Sequence, residues 1–265
     1  MTILIKIGGS LITNKKVEKS FRLEVMANLA HQLATLYENG WRDIILGHGS
    51  GSFGHFEAAR HGTASGVNTA EQWHGFAQVA WAASQLNHLV LEELRSVGLP
   101  AMRFQPSATL VTKNQHPNNM HIDPILAALQ AQLMPVLYGD VAFDTQLGGT
   151  IVSTETIFTM LVAQLAASSQ PVTKIVLLGE VDGVLNHDNQ VIAHLYTDNI
   201  AQFHSALRGS EGTDVTGGML TKVTDMLALV QSQPNLKIHI INGLQENSLL
   251  SLLKENNKTG TLITQ

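Results

Sequence analysis

Two stretches decide the fold: Thr2-Ile3-Leu4-Ile5-Lys6-Ile7-Gly8-Gly9-Ser10 and Asp43-Ile44-Ile45-Leu46-Gly47-His48-Gly49-Ser50-Gly51-Ser52-Phe53-Gly54-His55. In each, a short apolar run ends abruptly in glycine. Between them Leu23, Met26, Leu29, Leu33 and Leu36 recur at helical spacing, and Asn39-Gly40 marks a helix end. The order is strand, glycine turn, helix, strand, glycine loop, the grammar of a parallel α/β sheet. Such sheets bind ligands beyond the carboxyl ends of their strands. Glycine there lets backbone N–H groups approach a ligand, and a helix starting next favours an anion. An isolated Gly-Gly is more often only a tight turn. Gly47, Gly49, Gly51 and Gly54, interleaved with Ser50 and Ser52, point instead to a phosphate cradle. No G-K-[ST] follows, so it is not a Walker loop, and it fits the Rossmann fingerprint poorly.

The alternation continues outward. The pattern predicts a long helix over 70–97, a strand over 101–104, a helix over 123–132 and a strand over 134–138. A hairpin about Gly148-Gly149 is expected in 141–153, then a helix over 156–167 and a strand over 174–178. A helix over 218–230 and strands over 237–242 and 261–264 complete the pattern. The segment Ala-Ala-Ser-Ser-Gln-Pro-Val at 166–172 is the best candidate boundary, dividing lobes at 1–170 and 171–265.

Bulk composition narrows the partners. At 44% hydrophobic and 14% charged residues, the chain can bury a substantial core. A formal net charge of -5 gives no reason to expect nucleic acid. With no cysteine, disulfides and thiolate chemistry are excluded. No apolar run nears the roughly 20 residues that span a bilayer, and residues 1–7 lack a basic leader, so no membrane and a cytoplasmic setting are expected. The 12 histidines lack metal-helix spacing, and no side-chain metal site is expected. Anionic ligands then need local cations. Lys6 precedes Gly8-Gly9, Lys15 follows that turn, and Lys222 follows Gly217-Gly218, which is more than composition alone predicts.

These motifs together resemble the amino acid kinase superfamily. Lys6-Ile7-Gly8-Gly9-Ser10 with Thr13-Asn14-Lys15 resembles its opening. Gly179-Glu180-Val181-Asp182-Gly183-Val184 resembles its nucleotide-site T-D-V-D-G-V, and Asp214-Val215-Thr216-Gly217-Gly218-Met219 with Lys222 its D-V-T-G-G-M-x-x-K. Gln105-Pro106-Ser107 and Gly139-Asp140-Val141 extend the likeness. Within the superfamily, the loop ending Phe53-Gly54-His55 is similar to the H-G-G-G-[SA]-F-G-H of the isopentenyl phosphate kinases, and fosfomycin kinases also end it in F-G-H.

The resemblance implies an amino acid kinase-like open αβα sandwich with a mainly parallel central sheet. It implies ATP and Mg²⁺, isopentenyl phosphate as acceptor, and a homodimer. It also implies roles: Lys6 stabilises the transferring phosphoryl group; Gly8, Gly9 and Ser10 present donors to ATP; Lys15 and Lys222 hold the β- and γ-phosphates. Ser50 and Gly51 line the junction of acceptor and ATP, Gly49 and Gly54 belong with Ser50 to the substrate side, and His55 hydrogen-bonds the acceptor's phosphate. Asp182, Gly183, Glu180 and Gly217 lie at the nucleotide. Phe76, with Trp73, Val79, Ala80, Ala83 and Leu86, lines the acceptor's tail or else is simply the core face of its helix. His48, His61, His74 and His88 are read as structural or surface.

The chain departs from this pattern in three places, and the first of them, at Thr154 and Glu155, lies on the acceptor side. Relatives have I-S-G-D-D where Val152-Ser153-Thr154-Glu155-Thr156 stands, and there the first acid orders the lysines. Thr154 is expected to crowd the acceptor or add a hydroxyl contact, and Glu155 to keep the lysine-ordering charge on a longer arm. Glu180 replaces an aspartate, and Ser50 a glycine. A phosphonate kinase of the fosfomycin type and a non-catalytic nucleotide-binding regulator therefore stand as alternatives.

Overall fold

Apolar strands that end in glycine pair where their ends align. In the computed structural model, which describes residues 1–203, 218–254 and 259–265, β1 (Thr2–Ile7) and β2 (Ile44–His48) are parallel neighbours, in register from Ile3↔Ile44 to Ile7↔His48. Both glycine turns thus leave the sheet at one level. The chain divides into two compact units, residues 1–172 and 173–265.

In the first unit, β1 leads through the four-residue helix α1 (Gly9–Ile12) and α2 (Leu23–Glu38) to β2. Then follow α3 (Gly51–His61), α4 (Ala70–Ser96), β3 (Ala101–Arg103), α5 (Pro106–Thr109), β4 (Leu110–Lys113) and β5 (His116–Met120). After them come α6 (Asp123–Gln130), β6 (Met134–Tyr138), β7 (Asp140–Asp144), β8 (Gly148–Val152) and α7 (Thr154–Leu165). Strands run β1-β2-β6-β3, all parallel, and a second sheet runs β5-β4-β7-β8. Met26, Leu29, Leu33 and Leu36 of α2 are fully buried. Each such side chain contributes about 2 kcal/mol when removed from water. The 27-residue α4 begins with a capping box between Thr69 and Gln72 and buries a stripe from Phe76 to Leu94.

Most expected elements are present with small shifts at their ends. α7 starts two residues earlier than the pattern suggests, because Ser153 Oγ accepts the Thr156 amide (3.0 Å) and caps it there. That cap brings Glu155 into the first turn. The β7–β8 hairpin turns at Gly148, whose φ of +74° and contact with the Val67 carbonyl leave no room for a side chain. The β4–β5 hairpin was not expected, since Lys113 to Asn119 carries almost no apolar alternation. It is held by a carboxylate instead. Asp144, 4% exposed, accepts the amides of Asn114, Gln115, Gln146 and Leu147 and the hydroxyl of Thr112, at 2.8–3.0 Å. Burial opposes its ionisation, but the Gln115, Leu147 and Gln146 amides and the Thr112 hydroxyl outweigh it and hold the carboxyl well below the usual range.

The second unit has β9 (Val172–Gly179), β10 (His194–Leu195), α8 (Gly218–Ser232), β11 (Lys237–Asn242), α9 (Ser248–Lys254) and β12 (Thr261–Ile263). β9 and β11 are parallel, β12 is antiparallel to β11, and β10 is parallel to β12. Both units are α/β, as expected.

Asp144→Ala leaves four amides without their acceptor. We expect a loss of about 3 kcal/mol in unfolding free energy, read from the urea midpoint at pH 7. Because the native carboxyl is held low, Asp144 contributes fully above the unfolded carboxyl's range and loses that contribution as pH falls below it. The wild-type and variant curves should therefore converge in strong acid.

Candidate active site

The two glycine turns meet backbone to backbone. A Cβ built on Gly9 would stand 2.7 Å from the Gly51 amide nitrogen, and one on Gly49 2.9 Å from the Gly9 nitrogen. Gly51 has φ +51°, which a side chain would strain. Thr13 closes the junction: its hydroxyl donates to Gly9 O (2.7 Å) and accepts from the Ser52 amide (3.0 Å). The Gly49 amide is committed to Ile7 O (3.1 Å), and Gly54 N–H to Ser50 O (3.1 Å) inside α3. Gly49 and Gly54 permit close approach: a Cβ would stand 2.9 Å from the Gly9 nitrogen at the first and 2.5 Å from Ser50 at the second. The opening amides of α1, from Gly9 and Ser10, and of α3, from Gly51, have no helical carbonyl one turn back. Gly8 is the residue before α1.

Lys6, one residue before the end of β1, is paired with Gly47. Its Nζ lies 2.5 Å from Glu155 Oε1, with the two side chains 15% and 20% exposed. A pair so shielded is screened far less than one on the surface. The neighbouring Thr154 is buried, and its hydroxyl donates to His48 O (2.7 Å). Its methyl carbon fills the space a Gly47 side chain would need, 2.5 Å from that built Cβ. The hydroxyl contact anticipated for an acceptor is thus spent on the loop backbone.

Lys15 is exposed on a loop closed by Asn14 and Ser20, and the Ser20 amide donates to Ser52 Oγ (3.2 Å) in α3. His55 is exposed on the second turn of α3, and Cα–Cβ bonds in a helix tilt toward its N-terminus, where Ser50 and Gly51 lie. Phe76 is 6% exposed and clusters with Val67, Val79 and Val141. It also meets Trp73 and Phe143, with ring centroids 5.2 Å away in each case, and Phe143 is 50% exposed. Ala83 and Leu86 are core, and Ala80 packs at the cluster's margin.

In the second unit, Asp182 Oδ1 accepts from Asn242 Nδ2 (2.8 Å) and Gln245 Nε2 (2.7 Å). This joins the turn after β9 to the turn after β11. Gly183, at φ +151°, lies so near Thr261 that a Cβ would stand 2.7 Å from Thr261 Oγ1. Asp182, Val191, Asn242, Gln245, Ser248 and Thr259 help line a cavity of about 240 Å³. Ser248 Oγ and Thr259 Oγ1 are buried there without a hydrogen-bond partner among the described residues. Glu180 is exposed, and Lys222 lies in α8. Gly217 and the Asp214-Val215-Thr216 before it lie outside the described residues.

Thr13, His48, Asn87 and Asp140 were not among the expected site residues. Asp140 is 2% exposed, with one oxygen on the Ser107 amide (3.2 Å) and the other unpartnered among the described residues. Burial pushes its carboxyl up, against the Ser107 and Val141 hydrogen bonds. Asn87 carried a readable signal: it interrupts the apolar stripe of α4 between Ala83 and Val90. His48 is fully buried, and burial lowers its pKa to about 4 from 6.5, against the hydrogen bond to Gly49.

A group whose native pKa is depressed in this way is protonated first in the unfolded chain. Stability should then be level above neutrality and fall from pH 6.5 toward 4, by on the order of 3 kcal/mol for His48. His239, lowered to about 4 by burial and by Lys174 and Lys237, acts in the same direction. Urea titrations across that range should show the slope, and His48→Gln should flatten it.

The amino acid kinase family model matches residues 1–242. The chain is 33% identical over 227 residues to the isopentenyl phosphate kinase of Haloferax volcanii, covering 86% of this chain and 88% of that one. It is 29% identical over 263 residues to that of Methanocaldococcus jannaschii, covering 96% and 95%. Among solved structures, an isopentenyl phosphate kinase covers all of both chains with a TM-score of 0.80 at 24% identity, which shows the fold. A substrate complex of isopentenyl phosphate kinase aligns at TM-score 0.76 and 23% identity, covering 99% of this chain and all of that one. With the doubled glycine turn, the Lys6–Glu155 pair and these likenesses, the chain belongs to the amino acid kinase family, among its isopentenyl phosphate kinases.

Proposed function

We propose that this chain transfers the γ-phosphoryl group of ATP to isopentenyl phosphate, releasing isopentenyl diphosphate and ADP. The observation that carries the reading is the Lys6–Glu155 pair beside two glycine turns, one of which runs on to Phe53-Gly54-His55. An oxygen of the acceptor's phosphate attacks the γ-phosphorus, the bond to the β,γ-bridging oxygen breaks, and ADP leaves with it. A phosphate monoester needs no strong base at neutral pH, so the protein's task is alignment and charge compensation.

Lys6 faces the charge that develops on the moving group, and Glu155 keeps its ammonium oriented. The amides of Gly9, Ser10 and Gly51 receive phosphate oxygens, and the His55 imidazole holds the acceptor's phosphate. Lys15, Lys222 and the Asp182–Gly183 turn serve the nucleotide. Mg²⁺ would supply charge neutralisation on the phosphates, and it would be carried by the nucleotide rather than by a cage of side chains. Among the described residues no group of three carboxylates or imidazoles forms a cage for it. Trp73, Phe76 and Phe143 suit an alkyl tail better than a small polar phosphonate. We also read residues 1–170 as the acceptor and dimerisation lobe and 171–265 as the ATP lobe of a cytoplasmic homodimer; Trp81 of α4, 62% exposed, is the kind of side chain a second copy covers.

A coupled ADP-release assay should respond to isopentenyl phosphate, more weakly to dimethylallyl phosphate, and not to fosfomycin. Turnover of fosfomycin alone would make the chain a phosphonate kinase, and silence with every acceptor would make it a regulator. Glu155→Gln should lower kcat about a hundredfold while ATP still binds. His55→Ala should cost at least about tenfold, and a loss under about threefold would remove it from the mechanism.

A further inference from the structure

The glycine loop is tied to a buried chain of hydrogen bonds that none of the proposed transfer chemistry uses. Arg103, the last residue of β3, places Nε 2.7 Å from Asn87 Oδ1. Asn87 Nδ2 lies 3.0 Å from His48 Nε2, and His48 Nδ1 lies 2.9 Å from Gly49 O. Asn87 and His48 are both fully buried, and the imidazole stacks on Tyr138, with a centroid separation of 5.7 Å and planes 13° apart.

The chemistry of the two ends fixes the direction of every link. Arg Nε–H can only donate, so Asn87 presents its oxygen to Arg103 and its amino group to His48. His48 Nε2 must then accept. At the other end a carbonyl can only accept, so His48 Nδ1 carries the proton and donates to Gly49. Both constraints select one neutral tautomer independently. Its burial, next to the Arg103 cation, disfavours a second proton.

This direction has a consequence at the loop. The Gly49–Ser50 peptide is planar and trans, so its C=O and N–H point opposite ways. A carbonyl drawn inward to His48 turns the Ser50 N–H outward. Gly139 is its neighbour, and a Cβ built there would stand 3.4 Å from the Ser50 nitrogen, an ordinary van der Waals contact.

We propose that Asn87 and His48 are positioning residues which, anchored by Arg103, aim the Ser50 amide at a phosphate oxygen of the acceptor. The inference rests on the kinase reading only for the identity of the anion; the tautomer and the peptide orientation stand without it.

Two measurements test it. Nitrogen-15 spectra of the His48 ring, assigned with His48→Gln, should show protonated Nδ1 and bare Nε2 at pH 7. A protonated Nε2 overturns the proposal even if the chain proves inactive, which separates its failure from that of the kinase reading. In steady-state assays with isopentenyl phosphate and ATP, Asn87→Leu should lower kcat about tenfold to a hundredfold with little change in the ATP KM. Arg103→Met, changed at an exposed side chain, guards against misfolding of the first variant and should lower kcat at least about threefold with an unchanged melting temperature. Wild-type kcat in folded Arg103→Met and Asn87→Leu would reduce the chain to a packing feature and overturn the proposal.

Discussion

The site depends on two backbones lying within van der Waals reach of each other. Gly9, Gly49 and Gly51 meet with no room for a Cβ between them, and the Thr13 hydroxyl bridges the carbonyl of one turn to the amide of the other. Parallel pairing of β1 and β2 delivers the turns to the same level, and only residues without side chains then let them close. Once closed, the opening amides of α1 and α3 are presented together. Lys6 emerges beside them because it is the one partly exposed residue within an otherwise buried β1 run.

Charge is treated economically around this junction. A chain of net charge -5 must gather cations locally to hold phosphate. Lys6 is kept oriented by a single carboxylate, and that carboxylate sits in the first turn of α7, where the helix dipole favours an acid. The departures from the family pattern are absorbed by neighbours. Glu155 spans its extra methylene to reach 2.5 Å from Lys6. Thr154 places its methyl over Gly47 and its hydroxyl on His48 O, so a larger side chain at 154 is matched by the bare position at 47. What looks in sequence like a change at the acceptor is, in space, a repacking beneath the loop.

Elements governed by local periodicity were legible in the sequence: the buried strands, the long α4, and the hairpin turning at Gly148. Glycine clustering and the position of Lys6 marked the candidate site, because those residue types are conspicuous at the ends of buried strands, whereas Glu155 was reached only through the family resemblance. What stayed hidden depends on pairing across long sequence separations. Thr13 and Ser52 are 39 residues apart, as are His48 and Asn87, and no local pattern announces either pair. The β4–β5 hairpin escaped notice since one buried carboxylate, Asp144, replaces the apolar alternation that normally signals a strand. The commitments of the Gly49 and Gly54 amides to Ile7 O and Ser50 O were likewise invisible in the sequence.

A division of labour follows from these pieces. Backbone amides supply direction, since a peptide held at both ends cannot turn; lysines supply charge, since their ammonium groups can follow a phosphoryl group as it moves. Direction is best fixed by neutral groups. Were His48 cationic, it would sit buried near Arg103, and it would compete with Lys6 for the field at the loop. A neutral imidazole holding Gly49 O avoids both costs and leaves the positive charge of the site on side chains that reach the ligand. On the proposed function the buried His48 thus serves the loop from behind, while His55, seven residues later, is the exposed imidazole.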